Sequence, residues 1–292
     1  METTKEKILV SGGLGLVGSR IVELLSDKYD LSLHSRSNGF EITDLKSFSS
    51  LDRDAKYFLH LAAKADVDGS ELEKELAENS EVWKINVNGT KNVADFCHEN
   101  NIKVIYISTD FVFDGEKKEG DFYTEEDIPN PVNFYAKTKY EGEKAIQNSG
   151  AEYAIIRIAY PYRKEFEAKK DFVRAILERL KQGLPIKAII DHIMCPTFID
   201  DIAIVIDKII ETGGSGIYHA VGGTPLTPYD AALKMQEVFD LDKSLIGTTT
   251  RNEFFEGKAR RPFNLYLKNA RIENLGVEMR TFEKGLYELK KS

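Results

Sequence analysis

Tyr135 and Lys139 stand four residues apart in Y-A-K-T-K, a spacing that puts both side chains on one face of a helix. A phenol titrates at about pH 10 and is a poor base at neutrality, but an ammonium held beside it favours the phenolate. Such a pair is suited to moving a proton at a carbonyl oxygen. Upstream, S-G-G-L-G-L-V-G at residues 11–18 carries Gly12, Gly15 and Gly18 at three-residue intervals. A glycine turn that opens a helix presents free N–H groups to a pyrophosphate and lets the backbone approach it closely. Together the two features point to hydride transfer between a nicotinamide and a carbonyl or alcohol.

The elements that must position these residues alternate. Apolar runs at 8–10, 31–34, 57–61, 104–108 and 154–158 read as strands. Helical spacing at 17–25 and 133–147 places the glycine turn before one helix and the Tyr135/Lys139 pair on another. After the second strand S-R-S-N-G is turn chemistry, with a brief extended piece at 40–42 and a short helix capped by Thr43 or Asp44 through residue 48. Residues 71–100 hold helices broken near 79–80. The order predicts an α/β chain: a doubly wound parallel sheet of Rossmann type with helices on both faces. Beyond residue 160 the pieces shorten: helices at 172–180, 200–211 and 228–239, strands at 186–190 and 216–220, and a short terminal helix. The expected organisation is a cofactor domain over 1–160, to which later segments return, and a smaller substrate lobe over most of 161–292.

The end of the second strand bears on the cofactor. A carboxylate there favours the ribose hydroxyls of NAD. This chain has Ser35 and Arg36 instead, an arginine beside small hydroxyls that suits a 2′-phosphate. NADP is therefore expected ahead of NAD. Ser108, Thr109 and Asp110 end a buried-type strand, at the edge where ligands bind in open α/β sheets. Thr109 is placed to hydrogen-bond the substrate oxygen near Tyr135.

The net charge of −8 argues against a nucleic-acid-binding surface. No apolar run reaches the length of a membrane span and residues 1–10 are no signal peptide, so the cytoplasm is the expected compartment. Cys97 and Cys195 suggest no disulfide, and His60, His192 and His219 have no partner at metal-ligand spacing. No metal site is expected, and a homodimer is left open.

With these motifs in hand, the chain resembles the extended short-chain dehydrogenase/reductase family, and within it the dTDP-4-dehydrorhamnose reductase group, over nearly its whole length. F-E-I-T-D at 40–44, H-L-A-A at 60–63, I-N-V-N-G-T at 85–90, I-S-T-D-F-V-F-D-G at 107–115, C-P-T at 195–197 and A-R-R-P-F-N at 259–264 carry the likeness. The resemblance implies Thr109, Tyr135 and Lys139 as the catalytic set. It implies a cofactor site of Gly12, Gly15, Leu16, Val17, Gly18, Ser35, Arg36, Glu41, Ile42, Ala62, Ala63, Lys64, Asn86 and Ser108, shared with Tyr135 and Lys139. It implies a nucleotide-sugar substrate reduced at a 4-keto group, with Asp110, Phe113, Thr197 and Arg261 toward the substrate. Two segments depart from the group: R-I-A-Y-P-Y-R at 157–163 lacks the usual tryptophan and glycine, and D-H-I-M-C-P-T at 191–197 lacks the usual acid–glutamine–glycine pattern. Both fall where a sugar would be recognised.

Two alternatives stay open. A nucleotide-sugar epimerase or dehydratase is one, although Thr109-Asp110-Phe111 lacks the glutamate found in the dehydratases. A non-catalytic NADP-binding regulatory subunit is the other, because the β-subunit of methionine adenosyltransferase is similar to the same reductase group.

Overall fold

The computed structural model describes residues 5–118 and 120–291. The central sheet has six parallel strands in the order β2-β1-β3-β4-β5-β7: β1 (Lys7–Ser11), β2 (Asp30–His34), β3 (Tyr57–His60), β4 (Lys103–Thr109), β5 (Tyr153–Ile158) and β7 (Gly216–His219). Ile8, Leu9, Val10, Phe58, Val104, Ile105, Ile155 and Ile156 are all fully buried, as strands covered on both faces require. A separate parallel pair, β6 (Ile186–Ile189) and β8 (Ile246–Thr249), belongs to the smaller lobe.

On one face, α1 (Leu16–Leu25) and the later α7 (Ile199–Thr212) pack together over the sheet, burying Ile21, Leu25, Ile202, Val205, Ile206 and Ile209. Arg20 forks onto Asp200 at 2.8 and 2.7 Å, and the Tyr29 hydroxyl donates to Asp207 at 2.6 Å. On the other face lie α2 (Val67–Leu72), α3 (Glu81–Trp83), α4 (Thr90–Glu99) and α5 (Phe134–Asn148). The expected break near 79–80 is real: Ala77 takes φ +46, and Ser80 then caps α3 by accepting from the Trp83 N–H. Residues 84–89 widen into a π-type turn that joins α3 to α4. The S-R-S-N-G segment is one 3₁₀ turn, Arg36–Asn38, closed by Gly39 at φ +84. Residues 40–42 differ from the extended piece expected there: Phe40 and Ile42 bury as core anchors and the Asp44 N–H bonds back to the Glu41 carbonyl, turning the chain. Asp44 then caps the 3₁₀ segment Leu45–Ser50.

After β5 the chain runs through α6 (Phe172–Lys181) into β6, returns to the main sheet for α7 and β7, and leaves again for α8 (Pro228–Phe239) and β8. Pro228 sits at the first turn of α8 beneath a Thr227/Asp230 capping box, the position where its missing N–H costs nothing. The short helices α9 (Arg251–Phe254) and α10 (Ala270–Asn274) precede α11 (Phe282–Lys290). Tyr162, Val173, Leu177, Met235, Phe282 and Leu286 form the core of this lobe.

Candidate active site

The β1–α1 turn is built by close backbone contact. Gly12 has φ +75, and a Cβ there would lie 2.5 Å from the Ala62 nitrogen; a Cβ on Gly18 would lie 2.3 Å from the Gly12 carbonyl oxygen. Gly15 caps α1 without a side chain, so the first-turn N–H groups have no intrahelical acceptor. Bare of side chains, the turn could hold a diphosphate.

Two cavities meet at this turn, sharing Gly12, Gly15, Leu61, Ala63 and Lys64. The first, about 590 Å³, runs along the ends of β1 and β2 past His34, Ser35, Arg36, Phe40, Glu41, Ile42 and Ala62. The second, about 650 Å³, runs past Leu16, Val17 and Gly18 to Ser108, Thr109, Asp110, Tyr135 and Lys139. Its far wall is Phe111, Tyr160, Pro161 and Phe172. The residues fit an extended dinucleotide, with the glycine turn midway and the proton-handling groups at one end.

Asn133 caps α5, accepting from the Ala136 N–H at 2.8 Å, so Tyr135 is the second residue of the helix. Tyr135, Lys139 and Glu143 then recur every four residues along the face toward β4. Tyr135 is half-buried; Lys139 is 3% exposed. The Lys139 ammonium donates to the Ile107 carbonyl at 2.8 Å and lies 4.0 Å from the centroid of the Tyr106 ring. Burial pulls its pKa down to about 7, against which the Glu143 carboxylate works. Burial and the Asp110 carboxylate push the Tyr135 phenol above its ordinary pKa, while hydrogen bonding with Thr109 acts in the other direction. The expectation that Lys139 would lower the phenol is therefore not met here: its ammonium is directed to a carbonyl and a ring face, and its own charge is disfavoured by burial. In this geometry the phenol stays protonated, the form of an acid.

Thr109 donates to Asp110 Oδ1 at 3.1 Å and accepts from the Phe111 N–H at 3.3 Å. Asp110 is 1% exposed, and its Oδ2 has no hydrogen-bond partner among the described residues. Burial raises its pKa to about 7. With Oδ1 taken by Thr109, the unpartnered Oδ2 is an open acceptor when the carboxyl is ionised and an open donor when it is protonated.

Behind the cleft, Arg157 forks onto Glu143 at 3.0 and 2.7 Å and Ser108 donates to the same carboxylate at 2.5 Å, all three buried. This network ties α5 to β4 and β5 and so holds Tyr135 opposite Thr109. Arg36 is exposed and its guanidinium rests on Glu41, at 2.9 Å from Oε2 and 3.0 Å from Oε1. The Lys64 ammonium is held by Glu73 and Glu81, each at 2.5 Å.

Four residues expected in the site stand outside both cavity walls. Asn86 is fully buried and clamps the Lys64 backbone, accepting from its N–H at 2.8 Å and donating to its C=O at 3.0 Å, so it shapes the wall from behind. Phe113 is core, stacked on Tyr123 at 4.4 Å. Thr197 is buried, accepting from the Ala159 N–H at 3.3 Å beyond the end of β5. Arg261 pairs with Asp68 at 2.9 Å and donates to the Ala259 carbonyl at 2.7 Å. Ser108 lines the cleft, but Glu143 engages its hydroxyl. Tyr160, Phe172 and Phe40 line the cavities without having been singled out. For Tyr160 the signal was present, since it lies in the segment that departs from the reductase pattern. Among the described residues no cluster of three or more His, Cys, Asp or Glu could hold a metal ion, and no helix is long and apolar enough to cross a membrane.

Residues 6–292 match the family described as the RmlD substrate binding domain. The chain belongs to that family. The probable low-salt glycan biosynthesis reductase Agl14 of Haloferax volcanii is 30% identical over 294 residues, 95% of either chain. Methionine adenosyltransferase 2 subunit beta of Mus musculus is 28% identical, over 97% of this chain and 86% of its own. A dTDP-4-dehydrorhamnose reductase from Bacillus anthracis, solved in complex with NADP, superimposes with a TM-score of 0.88 at 27% identity, covering 98% of this chain and 99% of that one. The reductase resemblance read from the motifs thus holds for this member of the RmlD family along its length.

Proposed function

We propose that this chain is an NADPH-dependent reductase of a nucleotide-linked 4-keto sugar, with Tyr135 as the proton donor. The observation that carries the reading is that Tyr135, Thr109 and Lys139 share one cavity with the bare glycine cradle. When bound, NADPH supplies the hydride. The glycine turn and the first turn of α1 would hold its diphosphate, and Ser35 with Arg36 would meet its 2′-phosphate. The Tyr135 phenol, kept protonated by burial and by Asp110, gives its proton to the keto oxygen as charge develops there. Thr109 hydrogen-bonds the same oxygen. Phe111, Tyr160 and Phe172 keep water from the reacting carbon.

NADPH consumption with dTDP-4-dehydrorhamnose, with and without Tyr135→Phe, tests the reading. The variant should lose about 10²–10⁴-fold in kcat while binding NADPH normally; near-normal turnover refutes the assignment. The likeness to methionine adenosyltransferase 2 subunit beta supports a second reading, a non-catalytic cofactor-binding subunit. Co-purification with a synthetase, together with no turnover on any keto-sugar nucleotide, would favour it. An epimerase or dehydratase would turn over without net cofactor oxidation.

A further inference from the structure

The end of α5 that carries Tyr135 is fastened by groups from other elements. Phe134 opens the helix and Tyr135 follows it. The first N–H groups of a helix have no acceptor within it. The Phe134 N–H finds one outside: it donates to Glu71 Oε2, on α2, at 2.8 Å. A carboxylate that meets a backbone N–H at a helix start makes a charge-assisted bond with the positive end of the dipole. The Phe134 ring is buried and stacks on Trp83 of α3 at 6.3 Å. The Asn133 side chain donates to the Arg260 carbonyl at 3.0 Å.

α2 is held in its turn. It has six residues, a length that does not sustain a helix in water by itself. Asp66 caps it, accepting from the Gly69 N–H at 3.0 Å. Asp68 accepts from the Ala259 N–H at 3.2 Å and pairs with Arg261 at 2.9 Å. Arg261, Asp68, Glu71 and Phe134 thus form one run of contacts from the 259–261 segment through α2 to α5, and it stops one residue short of Tyr135. The other fixed points of α5 lie deeper in the helix, at Lys139 on the Ile107 carbonyl and at Glu143 on Arg157. Glu143 is about 12 Å along the axis from Tyr135 at 1.5 Å per residue. Helices fray from their ends, so those two pins alone would leave Tyr135 on the loose turn.

We infer that Glu71 is a positioning residue for the reaction: from α2 it fixes the first turn of α5 and so sets where the Tyr135 hydroxyl stands relative to Thr109. The inference rests on the reductase reading above and adds to it a residue outside both cavity walls. Glu71 acts through the Phe134 backbone. Its second oxygen, Oε1, serves only a surface pair with Lys74 at 3.2 Å.

The experiment measures kcat, KM for dTDP-4-dehydrorhamnose and NADPH affinity on the full chain and on Glu71→Ala, Glu71→Gln and Lys74→Ala. Glu71→Ala should lower kcat about 10–100-fold, the order expected when a reacting group is misplaced by about 1 Å. KM and NADPH affinity should stay within about twofold of wild type, because the glycine turn and Lys139 lie away from the broken bond. Glu71→Gln keeps an oxygen facing the N–H and should restore most of kcat. Lys74→Ala removes only the surface pair and should leave kcat unchanged. Amide hydrogen exchange should quicken in Glu71→Ala at residues 134–137 and not at 141–146. Wild-type kcat in Glu71→Ala, or no recovery in Glu71→Gln, overturns the inference and spares the reductase reading. Unchanged exchange at 134–137, or a loss shared equally by kcat and NADPH affinity, overturns it as well. Absence of wild-type turnover on keto-sugar nucleotides, with NADPH still bound, overturns the reading and the inference with it.

Discussion

Lys139→Met should abolish turnover and, in the ligand-free chain, remove a destabilising charge. Lys139 is 3% exposed, and one carbonyl at 2.8 Å with a ring face at 4.0 Å does not replace the water its ammonium has lost. Its pKa falls from 10.5 to about 7, a gap corresponding to about 5 kcal/mol. The sign is set by which state holds the proton. Between pH 7 and 10.5 the unfolded chain keeps it and the native chain releases it, so stability rises with pH through that window; below 7 the whole penalty is present. Urea denaturation of the ligand-free protein at pH 6 and pH 9 should therefore show the wild type gaining about 3 kcal/mol more than the methionine variant. Groups common to both chains cancel in the comparison. Parallel pH dependence in the two proteins would refute the argument, because it would mean that the buried ammonium is solvated by something other than the contacts described.

Asp110→Asn should act with the opposite sign: the native carboxyl, raised to about 7, holds a proton that the unfolded chain releases, so wild-type stability should fall by about 4 kcal/mol from pH 4 to 7, and the variant should lack that slope in the same denaturation assay. Gly18→Ala drives a Cβ to 2.3 Å from the Gly12 carbonyl oxygen; the turn must open, and NADPH affinity by fluorescence titration should drop at least about 10-fold. Glu143→Gln leaves the Arg157 cation buried without a counter-charge and should cost about 3–5 kcal/mol, read as a fall in Tm, whereas Glu143→Leu combined with Arg157→Met should recover much of it.

The parallel strands were legible because each is a short apolar run closed by turn residues, and the glycine turn because its spacing lies between a strand and an amphipathic helix. Tyr135 and Lys139 could be paired from spacing alone. What spacing could not supply is the direction in which a charged side chain is spent. Lys139 turns to Ile107 and Tyr106, residues more than 30 positions away in the chain, and so does not serve the phenol as a four-residue interval suggests. In the S-T-D-F-V-F run, Thr109 and Phe111 face the cleft while Phe113 drops into the core, a change of direction imposed by the 3₁₀ turn at Asp110–Val112. Tyr160 meets His192 across 32 positions and through a left-handed backbone, neither of which leaves a local mark beyond an unusual motif.

The return of the chain to the main sheet after residue 198 has a practical consequence. A fragment ending at 160 would contain every glycine of the nucleotide turn and both Tyr135 and Lys139, yet it would expose the open edge of β5, which β7 pairs, and the apolar flank of α1, which α7 covers. Bare strand edges beside uncovered leucine and isoleucine invite self-association. The half that carries the glycine turn is thus a region rather than a detachable module, and attempts to graft or express it alone should yield inclusion bodies.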